Sequence, residues 1–416
     1  MRITIIAATL GLACCHAASP PILAIRKATV HPVSGPPIGK ATVVVRNGLI
    51  EAVGADVAPP SDAWLIEAPG LHVYPGLNDA LSTWGLAART PADKLSDASW
   101  LHAEDLLNPA DKLIVSARNA GFTTAVVFPA TGNFGGQGAV LNLAGDKPGE
   151  MVVAGSVGQH HSFAVRGNIF PASLMGVIAH IRQTYLEADA YRAERAAYRT
   201  NARGARRPDY DRALEGVLES PRVLLPAVWA KEIDRMLSFG AELKRPVVLY
   251  GGHDAGRIAS KLAGAKVPVL VSLQWPVREP DADPEGEEAT RLLEMRDQAP
   301  AVPAALVKAG VKFAFYSGGV ERPADLRAAV RKAIDAGLDR ESALRALTLS
   351  TAEIFGVSDR MGSIESGKIA NLTVTDGDLF QTSTKVKFVV IDGVKYEPVP
   401  ELAPVPAPAE GTRGGQ

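Results

Sequence analysis

The sequence predicts an α/β protein: a parallel barrel of the TIM type carrying a small β-sandwich built from both the N- and C-terminal segments. Two patterns lead there. Short strand-like runs with tight hairpin turns occur near both ends of the chain, and between them β-branched runs alternate with longer helical stretches. A doubly wound open sheet is the alternative for the middle region. With 416 residues, 47% hydrophobic content and a formal net charge of -1, the chain can bury a large core. Bulk charge gives no support for a nucleic-acid partner.

The elements follow in chain order. Met1 and Arg2, the apolar run Ile3 to Leu12 and the small-residue stretch Ala13 to Ala18 have the three parts of a secretory signal, so residues 1–18 are expected to be cleaved near Ala17 or Ala18. That places the mature protein in the periplasm or outside the cell. The apolar run is shorter than the roughly 20 residues a permanent span needs, and no later stretch qualifies, so no transmembrane span is expected. Both cysteines, Cys14 and Cys15, fall inside the signal, which leaves no disulfide in the mature chain. Lipidation of Cys14 is the alternative fate of that end.

Residues 19–74 and 362–400 are assigned to the sandwich. In "ATVVVRNGLIEAVG" the pair Asn47-Gly48, and in "VKFVVIDGVKYEP" the pair Asp392-Gly393, are two-residue hairpin signals between apolar runs. Such strands cannot bury a face alone, so the two ends are expected to pack together. Residues 75–361 form the barrel, with strands expected in "FTTAVVF" (122–128), "RVLLPAV" (222–228), "RPVVLYGG" (245–252), "VPVLVSL" (267–273) and "VKFAFYSGG" (311–319). The charged stretch 187–215 reads as a solvated helix and loop inserted in the barrel. Residues 401–416, rich in proline, alanine and glycine, read as a disordered tail.

On "VVVRNGLIEAVG", "YPGLNDALSTWGL", "AGFTTAVV", "VVLYGGHDA", "AGVKFAFYSGG" and "ALTLSTAEIFGVSDRMGSIESGKIANLTV", the chain resembles the amidohydrolase superfamily, in its imidazolonepropionase-like and prolidase-like branch. The resemblance spans nearly the whole mature chain in the right order. It implies a (β/α)8 barrel, a divalent metal such as zinc, and hydrolysis of C–N bonds in non-peptide amides, cyclic amides or dipeptides. It also implies ligand positions, and most are vacated here. Leu81 and Thr83 stand where two histidines belong, Trp229 where a third does, and Gly318 where the family has an aspartate that is ligand and base. Only His253 matches a family ligand. A hydrolytic zinc needs about three protein ligands and an open position, and leucine, tryptophan and glycine donate nothing.

The other candidates come from the residues themselves. The pair His160 and His161 in "GSVGQHHSFAVRGN" could sit on a loop over the barrel mouth and join His253 in a reduced single-metal site; ordinary loop polarity explains them equally. The glycine-rich "PATGNFGGQGAVLNL" reads as an irregular loop with Asn133 and Gln137 as polar tips, able to cradle an anion or to be a tight turn. Trp84, Trp229 and Trp275 fall near strand ends, where they line a ligand pocket or plug the vacated cavity. "GSIESGKI" ends in Ile369 where a phosphate loop needs a hydroxyl, and no Gly-x-Ser-x-Gly elbow occurs.

Two functions follow. One is a non-catalytic binding or partner subunit without a cofactor, whose partner is a second amidohydrolase-like barrel with intact ligands or a second copy of this chain. The stretch "FPASLMGVIAHIRQTYLEADAY" is similar to secreted barrels that form such pairs. The other is a divergent hydrolase holding one metal through His253.

Overall fold

The strands form where β-branched and aromatic residues cluster, and the sequence places those clusters accurately. A computed structural model describes residues 22–87, 98–129, 132–165, 170–278, 283 and 286–400. The expected signal with Cys14 and Cys15, and the expected tail at 401–416, lie outside the described residues.

Both ends of the chain meet in one eight-stranded sheet. It contains β1 (Ile22–Val30), β2 (Ile38–Arg46), β3 (Leu49–Gly54), β4 (Trp64–Glu67) and β5 (His72–Pro75) from the N-terminal part. Three later strands complete it, and at the N-terminal side its spatial order is β5, β1, β2, β3. In the middle region the strands are β6 (Leu77–Ser82), β7 (Phe122–Val127), β8 (Phe134–Gln137), β9 (Ala139–Asn142), β10 (Val152–Ala154), β11 (Gln159–His161), β12 (Val223–Ala227), β13 (Val247–Gly251), β14 (Val269–Ser272) and β15 (Phe313–Tyr316). The C-terminal part adds β16 (Leu372–Thr375), β17 (Val386–Ile391) and β18 (Val394–Tyr396), and β16 pairs antiparallel with β5.

The expected hairpins are present. Asn47-Gly48 joins β2 to β3 with φ of 50° and 81°, and Asp392-Gly393 joins β17 to β18 with φ of 51° and 79°. Both central residues are left-handed in each, the conformation that matches strand twist and that asparagine, aspartate and glycine tolerate. Strand pairing makes a single sheet of the terminal segments. Leu23, Ile25, Val43 and Val45 from one end pack with Leu372, Val374, Phe388 and Val390 from the other in one buried cluster. Neither segment could assemble that core alone.

The middle region is a mixed α/β structure with two sheets, ordered β10-β9-β7-β6 and β15-β14-β13-β12-β11-β8. β12 to β15 are mutually parallel, as are β6 and β7. The two sheets touch at both ends. At one, the chain passes from β8 to β9 through Gly138 alone, whose N–H donates to Gly158 O at 2.9 Å. At the other, β6 and β15 are joined by a few bonds rather than a ladder: Gly318 N–H donates to Leu81 O at 3.0 Å and Ser317 N–H to Asp79 Oδ1 at 2.8 Å.

Two expectations change here. "PATGNFGGQGAVLNL" is not an irregular loop, because its residues 134–137 and 139–142 pair as β8 and β9. "GSVGQHHSFAVRGN" likewise puts Gln159 to His161 in a strand. Glycines weaken a strand by propensity, but at Gly138 a Cβ would lie 2.2 Å from Phe128 Cε1, so the buried Phe128 ring demands the hydrogen. The charged stretch forms the end of a 27-residue helix, Leu174–Thr200, a connection and the helix Arg212–Glu219. No helix among the described residues is long and apolar enough to cross a membrane.

Gly138→Ala is expected to lower unfolding stability by about 1–3 kcal/mol, because the added methyl overpacks against a ring with nowhere to go. A urea titration monitored by tryptophan fluorescence measures it, and unchanged stability would contradict the tight junction between β8 and β9.

Candidate functional site

The C-terminal ends of the parallel strands, where such folds place their sites, converge around Leu81, Thr83, Trp229, His253 and Gly318. β6 carries Leu81 into the apolar cluster with Val126, Phe128, Leu224 and Leu270, and only 8% of it stays exposed. Thr83 packs on Gly319, where a Cβ would come 2.1 Å from the threonine Oγ1. Gly318 is exposed, and a Cβ there would meet Gln274 Nε2 at 3.0 Å. Trp229 opens the helix Ala230–Leu243, half-buried under the Arg291 guanidinium at 5.5 Å.

His253 follows β13 and is buried, with Nε2 3.1 Å from Ser272 O and its ring 5.8 Å from Trp275. Burial lowers its pKa, the Ser272 carbonyl opposing the shift. His161 points elsewhere: Nδ1 meets Asn133 O at 3.1 Å and Nε2 meets Tyr185 OH at 2.9 Å, so both nitrogens are engaged and burial holds it neutral with a pKa of about 3. His160 packs 5.1 Å from Tyr250 with Nδ1 buried and unpartnered, and burial lowers its pKa to about 4. Among the described residues no three His, Cys, Asp or Glu side chains come together as a metal would need. The donor set does not fit the zinc that the sequence resemblance implies.

Asn133 and Gln137 are not loop tips. Asn133 is 6% exposed and its Nδ2 donates to Ser162 O at 2.7 Å, while Gln137 is fully buried and its Nε2 donates to Gly216 O at 2.7 Å and Ser99 O at 3.0 Å. Their amides are consumed by backbone carbonyls, which a buried amide must satisfy somewhere. Of the tryptophans, Trp84 and Trp275 are buried and donate their indole N–H to Val320 O at 3.0 Å and Ala329 O at 2.9 Å.

The feature missed in the sequence is Asp79. Its carboxyl is buried between β6 and β15 and accepts from the Ser317 N–H and hydroxyl; Ser317 Oγ in turn accepts from Gly319 N–H at 2.9 Å. Burial raises its pKa to about 6 against the opposing pull of those bonds. Nearby Tyr316 is raised to about 12 and Tyr250 is also raised, both chiefly by burial, and Tyr250 donates to His161 O at 2.8 Å. The Tyr250 and Tyr316 hydroxyls are therefore held in their uncharged forms.

A frame of parallel strands and helices with its strand ends converging on one mouth defines a class, the fold of the amidohydrolases. The amidohydrolase family model matches residues 239–395. An amidohydrolase from Thermotoga maritima MSB8 is 26% identical over 90% of this chain and all of that one, with a TM-score of 0.76. A prolidase complexed with N-methylphosphonate-L-proline (16% identity, 91% of this chain and 100% of that, TM-score 0.56) and molinate hydrolase (15%, 91% and 95%, TM-score 0.55) share the fold. No curated protein sequence matches. Residues 239–395 thus match the amidohydrolase family, and the chain as a whole is similar in fold to amidohydrolases.

Asp79 makes stability fall as pH rises. Its folded pKa of about 6 exceeds the ordinary value of 3.8, so its protonated form is favoured in the folded state; that stabilisation is complete below about pH 4 and is lost as pH rises through about 6. Asp79→Asn, which keeps the shape and stays neutral, is expected to remove a decline on the order of 3 kcal/mol between pH 4 and pH 7. Denaturant titrations across that range measure it, and parallel curves for the two proteins would refute the assignment.

Proposed function

We propose that this chain is an exported member of its superfamily without the family's metal-dependent catalysis, in which the strand circuit is a (β/α)8 barrel whose mouth has become a binding surface. The observation that carries this reading is the occupancy of the four ligand positions by Leu81, Thr83, Trp229 and Gly318. Restoring a metal would require four substitutions, and Leu81 already belongs to the core. With His253 the one imidazole left of the ligand set and no aspartate, too few groups remain to lower the pKa of a bound water and take its proton.

The partner proposed is a second amidohydrolase-like barrel that keeps its ligands. The start of the long helix supports this: Phe170, Leu174 and Met175 are 69%, 50% and 82% exposed, and Val165 just before them is 44% exposed. Large apolar side chains grouped in this way are uncommon on a monomer and mark contact surfaces. The neutral walls around Tyr250, Tyr316 and His160 suit an uncharged, amide-bearing ligand, consistent with fold relatives named for a prolidase and for molinate hydrolase.

The decisive measurement is the metal content of the purified protein, without chelators or a histidine tag, after incubation with zinc and dialysis. No stoichiometric zinc and no turnover of dipeptides or cyclic amides is the expected result. One zinc per chain that disappears in His253→Ala, together with turnover that disappears with it, would overturn the reading. Met175→Glu is expected to weaken co-purification with a co-expressed ligand-intact barrel at least tenfold in Kd, as an interface centre losing an apolar anchor does.

A further inference from the structure

At the opposite ends of the strands, three segments bring a serine, a histidine and a carboxylate into line. Ser156 lies between β10 and β11 with φ of 48°, in the left-handed region that a serine adopts only when its surroundings hold it there. Its Oγ is 3.2 Å from His102 Nδ1. The other ring nitrogen, Nε2, is 3.6 Å from Glu219 Oε2, at the end of the helix Arg212–Glu219. Hydroxyl, imidazole and carboxylate thus stand in the order that activates a hydroxyl nucleophile, and the base has a third group to orient it.

Two further features distinguish this cluster from ordinary surface polarity. The Ser156 N–H donates to no acceptor among the described residues, so it is free to receive an oxyanion formed on its own side chain. Glu104 approaches so closely that a Cβ on Gly155 would fall 2.0 Å from its Oε1, while its Oε2 is buried without any partner. Glu104 Oε1 is 3.9 Å from His102 Nδ1, which places the Glu104 carboxyl beside the imidazole. A buried carboxylate oxygen without a donor is costly, and a ligand ammonium would satisfy it. His102 and Glu219 side chains are 27% and 52% exposed, so a small substrate reaches them.

We propose that Ser156, His102 and Glu219 form an acyl-transfer site for small esters that carry an ammonium group, of which α-amino-acid esters are the simplest. Ser156 Oγ attacks the ester carbonyl and its proton passes to His102 Nδ1, while Glu219 stabilises the imidazolium. The bond from the carbonyl carbon to the leaving oxygen breaks, and His102 returns the proton to that oxygen, releasing the alcohol. Water then attacks the acyl-serine and gives a proton to His102. The serine–acyl bond breaks, Ser156 Oγ recovers the proton, and the amino acid departs. Glu104 binds the ammonium throughout, and Glu219 is a positioning residue. The site is independent of the strand mouth, so its failure would leave the binding-subunit reading untouched.

The test uses the full chain, a fluorophosphonate probe and a matched pair of substrates, alanine methyl ester and methyl propionate. Expected results are covalent labelling mapped to Ser156, labelling slowed about 10²–10⁴-fold in His102→Gln, and a preference for the alanine ester of at least tenfold that is lost in Glu104→Gln. Glu219→Gln is expected to move the acidic limb of the rate–pH profile to lower pH, which a purely structural role would not do. Ser156→Gly fits the positive φ and keeps the fold while losing labelling and turnover. A parent protein with a cooperative melt and no label on Ser156, labelling indifferent to His102→Gln, or ester hydrolysis that survives Ser156→Gly would each overturn the proposal.

Discussion

The buried Asp79 carboxyl holds the junction on which the rest of the middle region depends. β6 and β15 are the edges of two different sheets and share no ladder, so their contact rests on Asp79 accepting from the Ser317 N–H and hydroxyl and on Gly318 donating to Leu81 O. An edge strand left unpaired presents backbone groups that must find partners. One carboxyl with two accepting oxygens does that work in a space too small for a further strand. The same bonds fix the positions of Leu81, Thr83, Gly318 and Gly319, because each is within two residues of a bonded atom or of the carboxyl's own strand.

That constraint gives the strand ends a cross-link that needs no metal. In a metal site the ion cross-links strand ends, and its binding energy is part of the folding energy. Here the cross-link between β6 and β15 is made by hydrogen bonds, and the space around the strand ends is filled by buried groups such as Leu81, Trp84 and Trp275. Filling has an electrostatic consequence. Burial without a cation disfavours charged forms, which is why His160 and His253 shift down while Tyr250, Tyr316 and Asp79 shift up.

How much of this was legible in the sequence depended on range. Local signals were read correctly: Asn47-Gly48 and Asp392-Gly393 make the hairpins, and each β-branched run singled out, from "FTTAVVF" to "VKFAFYSGG", contains a strand. Union of the two chain ends was also legible, because strands with one apolar face must find a partner. Asn133, Gln137, His160 and His161 were misplaced because glycine-rich sequence suggests loops, and only tertiary contact with Phe128 shows why glycine is required in a strand connection there. Asp79, Glu104 and Ser156 carried no local signal. Their roles arise from partners such as Ser317 and His102, remote in sequence.

The two ends of the strands therefore stand in different relation to the family. At the C-terminal ends stand Leu81, Thr83, Trp229 and Gly318, which offer a metal no imidazole or carboxylate. The N-terminal ends ordinarily serve stability, and a serine in a left-handed conformation beside a carboxylate oxygen without a donor serves stability poorly. Both features cost free energy, the backbone about 1–3 kcal/mol and the unpaired oxygen about as much again. Surroundings that hold such a geometry in place, around a histidine already bracketed by a hydroxyl and a carboxylate, make sense as chemistry that a ligand completes. The vacated mouth and the serine corner are thus separate questions about one scaffold, and only the second leaves a strained backbone unexplained by packing.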